Sequence, residues 1–128
     1  MAEAARYHRA TMLLIVDDDP SFLSQAEELL DRGRGVFMAG DGEHAKALIR
    51  SVGAAFSAVL VDLDLPGQDG FSLIQELRKA FPDLPVIAIS GVCSRAVLDS
   101  ARLVGASSAL PKPIDETWSS AIERAIGC

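Results

Sequence analysis

Short apolar runs that break off into acidic residues constrain the fold of this chain more than any other feature. Met12-Leu13-Leu14-Ile15-Val16 leads straight into Asp17-Asp18-Asp19, and Ala58-Val59-Leu60-Val61 leads into Asp62-Leu63-Asp64, with Asp69 close behind. Continuous apolar runs of this length read as strands buried on both faces, the mark of a parallel sheet covered by helices. The pattern predicts strands at Met12 to Val16, Val36 to Ala39, Ser57 to Val61, Val86 to Ser90 and Ser108 to Leu110. Helices are predicted near Pro20 to Arg32, Gly42 to Val52, Phe71 to Phe81, Arg95 to Val104 and Glu116 to Ile126. Asp19, Asp41 and Asp115 stand where caps belong, Asp69 or Gly70 opens the third helix, and Pro20 suits a first helical turn. Gly33, Gly53, Pro82 and Gly105 supply stops. Strictly alternating strands and helices make βαβ units with right-handed crossovers, so the fold class is α/β, one parallel sheet with helices on both faces.

Function follows from where the acids fall. Ligands of such sheets bind at the carboxyl ends of the strands. Six of the eighteen acidic residues are crowded into the two clusters that end the first and third strand candidates. Carboxylates gathered at one spot repel unless a cation sits among them, and an all-oxygen donor set suits Mg²⁺. Ser90 ends the fourth candidate, and Lys112 follows the fifth in Leu110-Pro111-Lys112-Pro113. Paired carboxylates, a further carboxylate, a hydroxyl and an ammonium on one rim are the parts of a phosphoryl-transfer site, where the protein's task is positioning and charge neutralisation.

The remaining features narrow the setting. A chain of 128 residues, 49% hydrophobic, can bury one core without disulfides or structural metal. A net charge of −6 and twelve scattered Lys and Arg residues argue against a nucleic-acid partner. No apolar stretch reaches membrane-spanning length, so no membrane partner and a cytoplasmic location are expected. Cys93 and Cys128 form no disulfide or zinc pattern, and His8 and His44 lack ligand partners. Residues 1–11 read as a frayed N-terminal tail and 12–128 as a single domain. Trp118, Ala121, Ile122 and Ala125 give the last helix an apolar face, and Val97, Leu98, Ala101 and Val104 do so for the fourth.

In this order, the motifs resemble a response-regulator receiver domain of two-component signalling, over about residues 12 to 126. The resemblance implies a flavodoxin-like (βα)5 doubly wound sheet of strand order 2-1-3-4-5. It implies that Asp62 is the phosphoacceptor, charged by a histidine kinase or phosphotransfer protein. It implies Mg²⁺ as the cofactor, held by Asp17, Asp18, Asp62 and the backbone carbonyl of Asp64. Ser90 and Lys112 would bind the phosphoryl group, with a cis peptide between Lys112 and Pro113. Val92 and Asp64 stand where the family tunes hydrolysis. Asp19 and Asp69 are left as helix caps.

The implied protein is a phosphorylation-dependent binding switch, not a turnover enzyme, and a monomer or weak homodimer. It would stand alone, as the chain stops after the fifth helix, or be a piece of a hybrid kinase or longer regulator. Ala96, Leu103 and Ala109 lie on the face by which such domains meet partners. Ala109 departs from the family, which carries an aromatic residue there as its readout, and Gly91 replaces a common alanine. Two alternatives share some of the same residues: a pseudo-receiver that is never phosphorylated, and a haloacid-dehalogenase-like phosphatase using Asp62-Leu63-Asp64.

Overall fold

The computed structural model describes residues 12–31, 34–52, 55–65, 69–92 and 94–126. The tail with His8, the stops at Gly33 and Gly53, Arg32, Cys93 and Cys128 fall outside the described residues. The strands are β1 (Met12–Val16), β2 (Gly35–Ala39), β3 (Ala58–Asp62), β4 (Val86–Ser90) and β5 (Ser108–Pro111). The helices are α1 (Pro20–Leu30), α2 (Gly42–Val52), α3 (Gly70–Ala80), α4 (Arg95–Leu103) and α5 (Thr117–Ile126). All strand pairings are parallel and the order is β2-β1-β3-β4-β5, the flavodoxin-like arrangement.

Side-chain alternation along the central strands builds two cores. Leu14, Val16, Val59, Val61, Val86 and Ala88 face α2, α3 and α4, packing on Ala45, Ile49, Leu73, Ile74, Leu77 and Ala101. Leu13, Ile15, Ala58, Leu60, Ile87 and Ile89 face the other way onto Phe22, Ala26 and Leu30 of α1 and Trp118 and Ile122 of α5. This two-sided burial is why the strands carry continuous apolar runs rather than alternating ones.

The boundaries shift from the sequence expectation by a residue or two, each for a local reason. β3 starts at Ala58, because Ser57 is spent on β1: its N–H donates to Met12 O at 2.7 Å and its hydroxyl accepts the Met12 N–H at 3.3 Å. α1 stops at Leu30, where Asp31 takes the C-cap and donates its N–H to Glu27 O. α3 runs Gly70–Ala80 with Asp69 as N-cap, accepting the Phe71 N–H, and Phe81 as C-cap. α4 ends at Leu103 and turns at Gly105, whose φ of +116° favours glycine. α5 begins at Thr117, because Asp115 accepts the Thr117 N–H at 2.9 Å. Asp41 caps α2 by accepting the His44 N–H at 2.8 Å. Among the described residues no helix is long and apolar enough to cross a membrane.

Candidate functional site

β1 is flanked by β2 on one side and β3 on the other, which makes the β1/β3 boundary the topological switch point of the sheet. Val16 pairs with Val61, so the next residues, Asp17 and Asp62, emerge side by side at the carboxyl rim. The buried polar or charged residues among those described are Asp17, 0% exposed, Asp62, 3%, and Ser90, 4%, all on this rim. Charged groups are rarely buried unless paired or holding an ion. Their gathering at one place is the strongest structural pointer to a site.

Asp17, Asp18 and Asp62 each present a carboxylate oxygen within 4.8 Å of the others. Octahedral Mg²⁺ with oxygens near 2.1 Å places opposite ligands about 4.2 Å apart, so the spacing and all-oxygen chemistry of this triad fit such an ion. Asp18 is exposed and faces solvent, which leaves an entry route. The backbone fixes two of the carboxylates. Asp17 Oδ1 accepts the Asp19 N–H at 2.9 Å, and Asp62 Oδ1 accepts the Asp64 N–H at 3.1 Å. Gly70 sits so tightly under the end of β3 that a Cβ there would lie 2.5 Å from Asp62 O and 2.5 Å from Leu63 Cα.

Lys112 reaches into the acids from the end of β5. Its Nζ lies 2.7 Å from Asp17 Oδ2 and 3.4 Å from Asp62 Oδ2, and the Lys112–Pro113 peptide bond is cis. The Lys112 N–H donates to Ser90 O at 3.0 Å, tying the ends of β4 and β5 together. Burial raises the Asp17 carboxyl above its ordinary range; Lys112 and the Asp19 N–H oppose that rise, and the nearby Asp62 adds to it. For Lys112, burial acts to lower its pKa, but Asp17 and Asp62 outweigh it and the net direction is up. The directions differ in cause: burial drives the Asp17 rise and Lys112 only partly offsets it, whereas the two carboxylates drive the Lys112 rise against burial. A divalent cation would complete the balance.

Ser90 is on the rim but its hydroxyl is occupied: it donates to Val92 O at 2.8 Å and accepts the Val92 N–H at 3.1 Å. Asp64 is exposed and contributes its N–H to Asp62. Asp19 and Asp69 are helix caps. Ala109 is half-buried at the middle of β5, while Ala96 and Leu103 are exposed on α4, Leu103 at 87%. Val97, Ala101 and Val104 turn toward the core, whereas Leu98, expected on the same face, is half-buried and packs on neither core cluster.

Two residues that the sequence reading did not attach to the site belong beside it. The Phe22 ring lies under the Lys112 ammonium, 4.5 Å from Nζ to the ring centroid, and packs on Trp118 with centroids 5.7 Å apart. Such a cation–π contact contributes about 0.5–1 kcal/mol when exposed and about 2 kcal/mol when desolvated. Trp118 Nε1 donates to Pro111 O at 3.1 Å, immediately before Lys112. The available signal was an aromatic in the first turn of a helix that directly follows a rim residue.

Comparison with known proteins agrees with this geometry. The Response regulator receiver domain family matches residues 13–120. A response regulator receiver protein of Anaeromyxobacter sp. (strain Fw109-5) is 36% identical over 102 residues, covering 79% of this chain and 42% of that protein. The sensor kinase CckA of Brucella abortus (strain 2308) is 33% identical over 104 residues, covering 81% of this chain and 11% of that protein. This chain therefore spans less than half the length of either relative. Among solved structures, the Vibrio cholerae chemotaxis protein CheY4 superimposes with a TM-score of 0.83 at 27% identity, covering 91% of this chain and 98% of that one. With its family match, its strand order and its acidic rim, the chain belongs to the response regulator receiver domains of two-component systems.

Proposed function

We propose that this domain is a phosphorylation-dependent switch in which Asp62 accepts a phosphoryl group from the phosphohistidine of a histidine kinase or phosphotransfer protein. The observation that carries the reading is the convergence of Asp17, Asp18, Asp62 and Lys112 at the switch point of the sheet. Asp17, Asp18 and Asp62, with the Asp64 carbonyl, would hold Mg²⁺. When bound, that ion neutralises charge between the carboxylate and an incoming anionic phosphoryl group. Asp62 Oδ2, the oxygen beside Lys112, is the attacking atom, since Oδ1 is held by the Asp64 N–H. Its bond to phosphorus forms as the donor's P–N bond breaks, and Lys112 moves with the transferred charge to a phosphoryl oxygen. Ser90 reaches a second phosphoryl oxygen by releasing its hydrogen bonds to Val92.

The phosphorylated and unmodified states differ in partner affinity, and the partner meets the face built by α4, β5 and α5. Exposed Leu103 and Ala96 lie there, next to a 400 Å³ groove lined by Arg102, Ser108, Ala109 and Arg124. Incubation with Mg²⁺ and acetyl phosphate, followed by intact mass measurement, tests the reading. Wild type gains one phosphoryl group and Asp62→Asn gains none. Equal labelling of the two would sink the assignment of Asp62.

A further inference from the structure

The rim lysine is tied to α5 by a route that the transfer reaction does not require. Trp118, 0% exposed in the first turn of α5, grips the chain one residue before Lys112 through its Nε1–H bond to Pro111 O. Its ring also packs on Phe22, at 5.7 Å and 56°, and Phe22 in turn supports the ammonium at 4.5 Å. Trp118 therefore touches the Lys112 position twice, through the backbone and through a second ring. β5 offers no comparable element, because its middle residue is Ala109.

We propose that Phe22 and Trp118 are positioning residues for Lys112, and that through these two rings α5 registers whether the lysine's charge rests on Asp17 or has been drawn to another anion. The proposal rests on the preceding reading only for its natural trigger. The physical basis is differential contact: the ammonium lies over the Phe22 face while it is ion-paired with Asp17, and displacing it removes that contact. Loss of the charge over the ring lets Phe22 and Trp118 resettle, and Trp118 is part of the α5 face that packs on the sheet. A purely structural ring pair would affect stability but would not respond to the charge at residue 112.

The chain holds one tryptophan, so its emission and its indole N–H resonance report this position alone. In metal-free protein, Lys112→Met is expected to shift both signals, and a variant with neither moved would overturn the proposal. In a Phe22→Met background, which keeps similar volume without a ring, the same Lys112→Met change is expected to produce little further shift. A shift of undiminished size there also overturns it. If Phe22→Met does not fold, Phe22→Leu, which also lacks a ring, carries the same comparison.

Titration with Mg²⁺ supplies a separate arm. Emission should change with the midpoint found by equilibrium dialysis, and uptake of Mg²⁺ with no emission change counts against the coupling. Absence of Mg²⁺ uptake removes the metal reading of the site, while the metal-free arm still judges the rings.

Discussion

At the scale of single residues, the site is built by groups that are expensive to place and are held there by backbone. Asp17 is fully buried beside Asp62 with one ammonium between them, an arrangement that leaves negative charge in excess. Asp18 differs, being exposed, so it can be removed without disturbing the core. Asp18→Ala is expected to change stability by less than about 0.5 kcal/mol without Mg²⁺. Under the proposed Mg²⁺ site it should nevertheless abolish the rise in melting temperature expected of wild type with Mg²⁺; at a hundredfold excess over Kd, that rise corresponds to about 2.7 kcal/mol. Differential scanning calorimetry with and without Mg²⁺ checks both halves. Gly70 makes a different demand, because a methyl group there meets the backbone of Asp62 and Leu63. Gly70→Ala should destabilise the domain by about 1–3 kcal/mol in urea melts and slow the proposed labelling of Asp62, since relieving the clash shifts the backbone of Asp62 and Leu63 against α3.

At the scale of elements, the caps set where each helix meets the rim. Asp69 fixes the start of α3 beneath β3, and Asp115 fixes the start of α5 just beyond the cis Lys112–Pro113 bond. Both the hydroxyl and the N–H of Thr117 donate to Asp115, and these bonds hold its carboxyl below the ordinary value of 3.8. Because the folded pKa is the lower one, the cap's contribution is fully present above 3.8 and fades as pH falls through the depressed value. Asp115→Ala should therefore lower stability at neutral pH and flatten the acid limb of the stability profile. Urea melts of both proteins across pH 2 to 7 measure this, and parallel profiles would count against the cap. Trp118, Ile122 and their neighbours show what the element scale hides from sequence. Helical spacing identified the apolar face of α5, but not that this face receives Phe22 from α1.

At the scale of the whole molecule, one sheet separates two cores, and β3 sits at its centre with β1 and β4 on either side. Leu60 lies fully buried in the layer shared with α1 and α5. Leu60→Ala is expected to cost about 2–5 kcal/mol in urea unfolding, whereas Leu103→Ala, on the surface, should cost less than about 0.5 kcal/mol. The sequence by itself determined the α/β class, the five strands and five helices to within a residue or two, and the acidic rim with Ser90 and Lys112. Those features are local: apolar runs, helical spacing and caps are written in consecutive residues, and a parallel sheet sends every strand's carboxyl end to the same edge. Only the tertiary structure decided that Lys112 bonds Asp17 more closely than Asp62, that the Ser90 hydroxyl is turned back onto Val92, and that Phe22 and Trp118 join the rim to α5. The Ser90 contact is a local rotamer choice, and the other two depend on contacts between residues far apart in the chain. No spacing rule encodes them, because rotamers and, for Phe22 and Trp118, packing in the layer between α1 and α5 fix them.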